Sequence, residues 1–122
     1  KKMSSPYIAQ QPVNDFSLRF SDQKYTATLA ASTDTSLTVP SNAKKFKVVM
    51  KAEADASVYV AVNATAAVPA GASFAASTSE LIPVNGVLCR EVDAADVLHF
   101  ITAGTDIDVS VVLYSIDTIS GI

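Results

Sequence analysis

The chain has 122 residues, enough for one domain that removes roughly two-thirds of its unfolded surface from water. Its formal net charge of −3 leaves no basic footprint to displace counterions from phosphates, so no nucleic-acid partner is expected. The single cysteine, Cys89, excludes an intrachain disulfide, and no uninterrupted apolar run is long enough to span a bilayer, so no membrane partner is expected either.

Residues 1–15 are polar and punctuated by Pro6 and Pro12, which lack the backbone donor a strand ladder needs. No hydrophobic stretch follows Lys1 and Lys2, so the segment does not read as a signal peptide, and synthesis in a cytoplasm is the expectation. A frayed tail and an extended arm both fit this composition. Tyr7, Ile8 and Val13 are apolar and spaced along the segment, which makes them the candidate partner-binding residues of an arm. The chain thus divides into an arm, 1–15, and a β-domain, 16–122.

From Phe16 the pattern changes. Phe16, Leu18 and Phe20 alternate with Ser17 and Arg19, the period-two signature of a strand with one wet face. Ser21-Asp22-Gln23 reads as a turn, Tyr25, Ala27 and Leu29 as the next inward row, and Ser32-Thr33-Asp34 as another turn leading to Leu37 and Val39. After Pro40-Ser41-Asn42, the residues Phe46, Val48, Met50 and Ala52 face inward, with Lys45, Lys47 and Lys51 outward. Together with Lys44 these lysines form the only basic cluster, which reads as a solvated strand edge that resists aggregation.

Ser57 to Val62 reads as a strand, 64–79 as a long loop of small residues with Phe74 its only large side chain, and Asn85-Gly86 as a tight type I′ hairpin. That hairpin sets Ile82 against an inward Cys89 and Glu80 against Glu91, a repulsive pair before which the ladder should end or bulge. Two further strands follow, 96–101 and 108–114, with Leu98 and Phe100 on one face and Val97, His99 and Ile101 on the other. Turn signals every 8–12 residues without a helical period predict an all-β, single-domain antiparallel sandwich or barrel.

Little chemistry gathers on this frame. His99 is the sole histidine and, with one cysteine, builds no zinc site; it reads as a structural or interface residue. Cys89 reads as a small buried hydrophobe, despite Arg90 beside it. Asp93 with Asp96 and Asp106 with Asp108 lack the shaped loop of a calcium site, and Asn63-Ala64-Thr65 matches a glycosylation acceptor only by chance. No phosphate-cradling glycine loop is present, so neither catalytic residues, metal nor cofactor are expected.

The run from Val58 through Pro69, the run from Phe74 through Leu81, and the strands Val97-Leu98-His99-Phe100-Ile101-Thr102 and Val109-Ser110-Val111-Val112-Leu113-Tyr114 resemble small virion proteins of tailed bacteriophages. The likeness is one of style and covers the C-terminal half; residues 1–55 carry none of it. It implies a jelly-roll-like antiparallel β-sandwich that serves as a non-catalytic decoration or cement protein on the outer capsid surface, whose partners are the major capsid protein and further copies of itself. A trimer is favoured over a dimer, because Val49, Val97, Ile101, Val112 and Tyr114 give several strands an apolar second face. The alternative is a tail or fibre adhesin domain recognising a host glycan, with Tyr59 its best exposed aromatic.

Overall fold

A computed structural model describes residues 20–116, and the arm with Tyr7, Ile8 and Val13 lies outside the described residues, as do Phe16 to Arg19. Eight strands follow in chain order: β1 (Gln23–Leu29), β2 (Thr35–Thr38), β3 (Lys45–Ala52), β4 (Val58–Val62), β5 (Glu80–Leu81), β6 (Leu88–Asp93), β7 (Val97–Thr102) and β8 (Ile107–Ser115). They form two four-stranded sheets, a front sheet ordered β1-β8-β3-β6 and a back sheet ordered β2-β7-β4-β5. Every pairing between named strands is antiparallel. The molecule is an all-β sandwich.

The pairing follows a simple rule. β4 pairs with β5, β3 with β6, β2 with β7 and β1 with β8, so the chain runs out and back as one long hairpin rolled into two layers. Contacts of β8 with β3 and of β7 with β4 then complete the sheets. Every connection except that from β4 to β5 crosses from one sheet to the other. The bend of the long hairpin is therefore the loop 63–79.

The core lies where the two inner faces meet. β3 contributes Phe46, Val48, Met50 and Ala52, as its alternation with outward lysines predicts, and β8 contributes Val109, Val111 and Leu113. From the back sheet come Val58, Val60, Leu98 and Phe100. The buried polar side chain here, Thr102, is fully satisfied: its hydroxyl donates to the Ser57 carbonyl (2.8 Å) and accepts from the Gly104 amide (3.1 Å). That matters, since an unpaired buried hydroxyl would cost about 1–3 kcal/mol.

Three expectations need correction. Asn85-Gly86 does not close a hairpin. Asn85 has a φ of 58°, but Gly86 does not share the left-handed conformation a type I′ turn requires. The Gly86 amide instead donates to the Pro83 carbonyl (3.2 Å), and this turn carries the chain from β5 in the back sheet to β6 in the front sheet. Tertiary burial overrides the local signal: Ile82, fully buried, donates its amide to the Val58 carbonyl on β4, while Leu88 enters the core from β3's side. Glu80 pairs with Val60 and Glu91 with Lys47.

The phase of β6 is consequently shifted by one residue. Leu88 and Val92 point inward, and Cys89 stands exposed on the outer face beside Val49. A one-residue shift in a strand moves every side chain to the opposite face. Native protein should therefore react with a maleimide at one thiol per chain before any unfolding; protection until denaturation would restore the buried reading.

The lysine cluster does not mark a sheet edge either. β3 is flanked by β8 and β6, so its lysines rise from the middle of the front sheet's outer face. Across the β3–β6 register Lys47 faces Glu91, and Lys45 binds Asp93 at 2.8 Å. The basic stripe is offset by an acidic one on the neighbouring strand.

Candidate functional site

Between β4 and β5 runs a long loop, 63–79, outside the strands of the two sheets. It has no charged residue, and its composition of Ala, Ser, Thr, Val, Pro and Gly gives it no core of its own. Hydrogen bonds at its two ends hold it instead. The Thr78 hydroxyl donates to the Thr65 carbonyl (2.9 Å), and the Ala67 amide donates to the Ser79 hydroxyl (3.0 Å). These bonds bring the ends together in the manner of an Ω-loop. Its first residue, Asn63, takes a left-handed φ of 55°; its side chain accepts from the Val97 amide (2.8 Å) and donates to Asp96 (3.0 Å). At the far side of the loop Phe74 is fully exposed.

The loop is also fastened to the back sheet by the Asp34 carboxylate. Asp34 stands just before β2. One of its oxygens accepts from the Ala66 amide (3.1 Å), and the other lies 2.7 Å from Nδ1 of His99 on β7. Ala66 is buried, and so is Ala61, which faces His99 across the β4–β7 register on what would otherwise be the sheet's wet side. The Asp34 carboxyl is held below its ordinary value, chiefly by the hydrogen bond to His99, against the opposing effect of burial and with help from the Ala66 amide. Such a group stabilises the fold above its unfolded value of 3.8, and that contribution is lost as pH falls through the still lower folded value. The anchor should thus survive mild acid.

Substituting Asp34→Ala tests this anchor. It leaves the buried Ala66 amide without its acceptor and removes the partner of His99, so about 1–3 kcal/mol should be lost. Hydrogen exchange at Ala66 and Ala67 should accelerate, while that of β3 and β8 should follow only the global stability. Asp34→Asn, which keeps an acceptor oxygen, should recover part of the protection.

His99 and a carboxylate do converge, as an enzyme would require. Yet the carboxylate is committed on both oxygens, one to the ring and one to a backbone amide, which is the arrangement of a positioned anchor. Among the described residues no group of three or more His, Cys, Asp or Glu side chains is placed to hold a metal ion.

A second connection ties the sheets at their edges. β5 ends the back sheet and β6 the front, and Arg90 reaches across to Glu80 with its Nε 3.1 Å from one carboxylate oxygen and its Nη2 on the other. This fork lowers the Glu80 carboxyl, the hydrogen bond from Arg90 being the main cause. Both groups are about half exposed, so solvent screens the pair and its chief effect is geometric.

Tyr59, the aromatic singled out for a glycan, sits half-buried on the back sheet's outer face between Leu81 and Ile101. Neither Asp34 as an anchor nor the Arg90–Glu80 fork is legible from spacing, because each joins residues through pairings that only the fold creates. Phe74 stood out in the sequence as the loop's one large side chain, and its full exposure is what the structure adds.

No family model matches the chain, and neither curated proteins nor solved structures yield a match. The site must be read from its own geometry.

Proposed function

We propose that the chain is a non-catalytic attachment module of the capsid decoration type. In this reading it binds the major capsid protein on the outer surface of a bacteriophage shell, as a homo-oligomer with a trimer favoured, after synthesis in the host cytoplasm. The observation that carries it is the rolled hairpin, with β1-β8-β3-β6 facing β2-β7-β4-β5. We read this order as an eight-stranded jelly roll, an architecture that recurs in viral capsid and lectin domains. The loop at its bend adds a neutral surface with an aromatic at its tip, suited to contact with another protein, since interface anchors are enriched in aromatic side chains. Copies held together in an oligomer would strengthen each weak shell contact by raising its effective concentration.

The glycan-binding adhesin is kept as a second reading because of one feature. A shallow trough on the front sheet's outer face is lined by Thr26, Thr28, Ser110, Lys51, Glu53 and Asp108. Hydroxyls and carboxylates of this kind suit a polyhydroxylated ligand. Part of the set is already internally bonded, Thr28 donating to Asp108 at 2.6 Å.

The test is immunogold labelling of particles from the cells that make this protein. Label on heads is the expected result. Label on tails, joined by binding on a glycan array that Asp108→Ala abolishes, would favour the adhesin, and particles free of label would overturn both.

A further inference from the structure

The two long edges of the sandwich are unlike. At the β5–β6 edge the Arg90–Glu80 fork closes the gap between the sheets. At the β1–β2 edge nothing comparable spans the gap among the described residues, and the core opens into a cavity of about 180 Å³. Its walls are Tyr25, Leu29, Leu37, Phe100, Val109 and Val111. The cause is visible in β1: Tyr25, Ala27 and Leu29 form the inward row, and Ala27, opposite Val109, supplies only a methyl where a larger side chain would fill the space.

From this cavity and the exposed Phe74 we infer that the protein self-associates head to tail, the Phe74 ring of one copy seating between β1 and β2 of the next. Size supports the fit, since an apolar cavity of about 150 Å³ accepts a benzene ring. Charge supports it too. Every residue lining the cavity is uncharged, and so is the whole loop that carries Phe74, so two acidic chains meet here without like-charge repulsion. The hydrogen-bonded ends of the loop limit the freedom lost when its tip docks.

Area sets the form of the assembly. One aromatic ring buries about 150–250 Å², far below the roughly 1,200 Å² of a stable pairwise interface. A lone junction is therefore weak. Plug and socket involve different residues, so the contact is heterologous, and the closed homo-oligomer of the proposed function would be a ring in which every copy makes two junctions. The inference rests on the homo-oligomer of the proposed function and names the surfaces that would form it.

Sedimentation velocity on the full chain tests it. Wild type is expected to self-associate at micromolar concentration. Phe74→Ser should weaken association about 10- to 100-fold, the change for removing one buried aromatic side chain. Ala27→Phe, which fills the socket's mouth from an exposed position, should do the same, with thermal melts of both variants verifying their fold. Mixing the variants should restore a single junction, giving a weak dimer, seen only at concentrations above those at which wild type assembles, and nothing larger. Toluene should perturb the Leu37 and Val111 methyl resonances of Phe74→Ser but not of Ala27→Phe. A silent toluene titration of Phe74→Ser would mean that the cavity is filled from within the chain, overturning the inference. Unaltered association of Phe74→Ser would sink the junction and leave the oligomer standing, and head labelling would remain a separate measure of the decoration reading. A monomeric wild type would remove both junction and oligomer.

Discussion

Replacing Phe46 by alanine should destabilise the domain by about 3–5 kcal/mol, the cost of deleting a large buried aromatic and leaving part of its volume empty. Phe46 is completely buried on β3, which has neighbours on both sides: Val92 of β6 faces it in one register and Ser115 of β8 in the other. The cavity lies inside a sheet pinned along both edges of the strand, so the surroundings have little freedom to collapse. Each kcal/mol lowers the melting midpoint by roughly 4–8 °C in a domain of this size. Urea denaturation should show the lower midpoint with an unaltered slope. A loss of less than about 1 kcal/mol would mean that the core relaxes around the gap, against the packing described. Phe74→Ser, on an exposed ring, should by comparison leave the stability of the isolated chain within about 0.5 kcal/mol.

The second large effect is expected at Thr102. Thr102→Val preserves shape and removes a hydroxyl that serves two backbone groups, the Ser57 carbonyl and the Gly104 amide. The hydroxyl is completely buried and two hydrogen bonds go with it, so at about 0.5–1.5 kcal/mol each a loss of about 1–3 kcal/mol follows. Its carbonyl also accepts from the Ser32 amide at 2.7 Å, so three connections gather around one residue at this end of the sandwich. Hydrogen exchange at Gly104 should rise in the valine variant beyond what global destabilisation explains. Thr102→Ser, which keeps the hydroxyl and loses a methyl, should protect Gly104 as the wild type does. Equal exchange at Gly104 in both variants would show that the hydroxyl does not hold that turn.

How far the fold could be read in advance depended on the range of the forces involved. β3, β7 and β8 were legible because strand alternation is local: lysines outward from Phe46, Val48 and Met50, and Leu98 with Phe100 opposite His99. The partner of β6 was not. Asn85-Gly86 satisfies a strong local rule, but which strand Ile82 pairs with is decided by burial of its side chain and by the Val58 carbonyl, far back in the chain. Strand geometry carries the consequence along β6: a hairpin at Asn85-Gly86 would turn Cys89 inward, and the observed turn sets it outward. His99 stands out as the sole histidine, but its partner does not: Asp34 lies 65 positions away and reads as an ordinary turn residue. Phe74 was conspicuous, yet only the fold, by leaving it uncovered at the bend of the long hairpin, makes it a candidate contact.

That long hairpin has a consequence for how the molecule is made. Among the described residues β1 has one neighbour in its sheet, β8, and their register joins Gln23 to Leu113. At about 5–20 residues per second of synthesis, β1 waits roughly 5–20 s between leaving the ribosome and meeting the strand that completes it. Throughout that interval its backbone donors and acceptors are open to any passing strand. Closure of so distant a pairing is also slow in itself, on the scale of milliseconds to seconds for sandwiches rich in non-local contacts. The nascent chain is thus most vulnerable to mispairing in its first strand, and the outward Lys24, with Thr26 and Thr28, keeps that strand's exposed face polar while it waits.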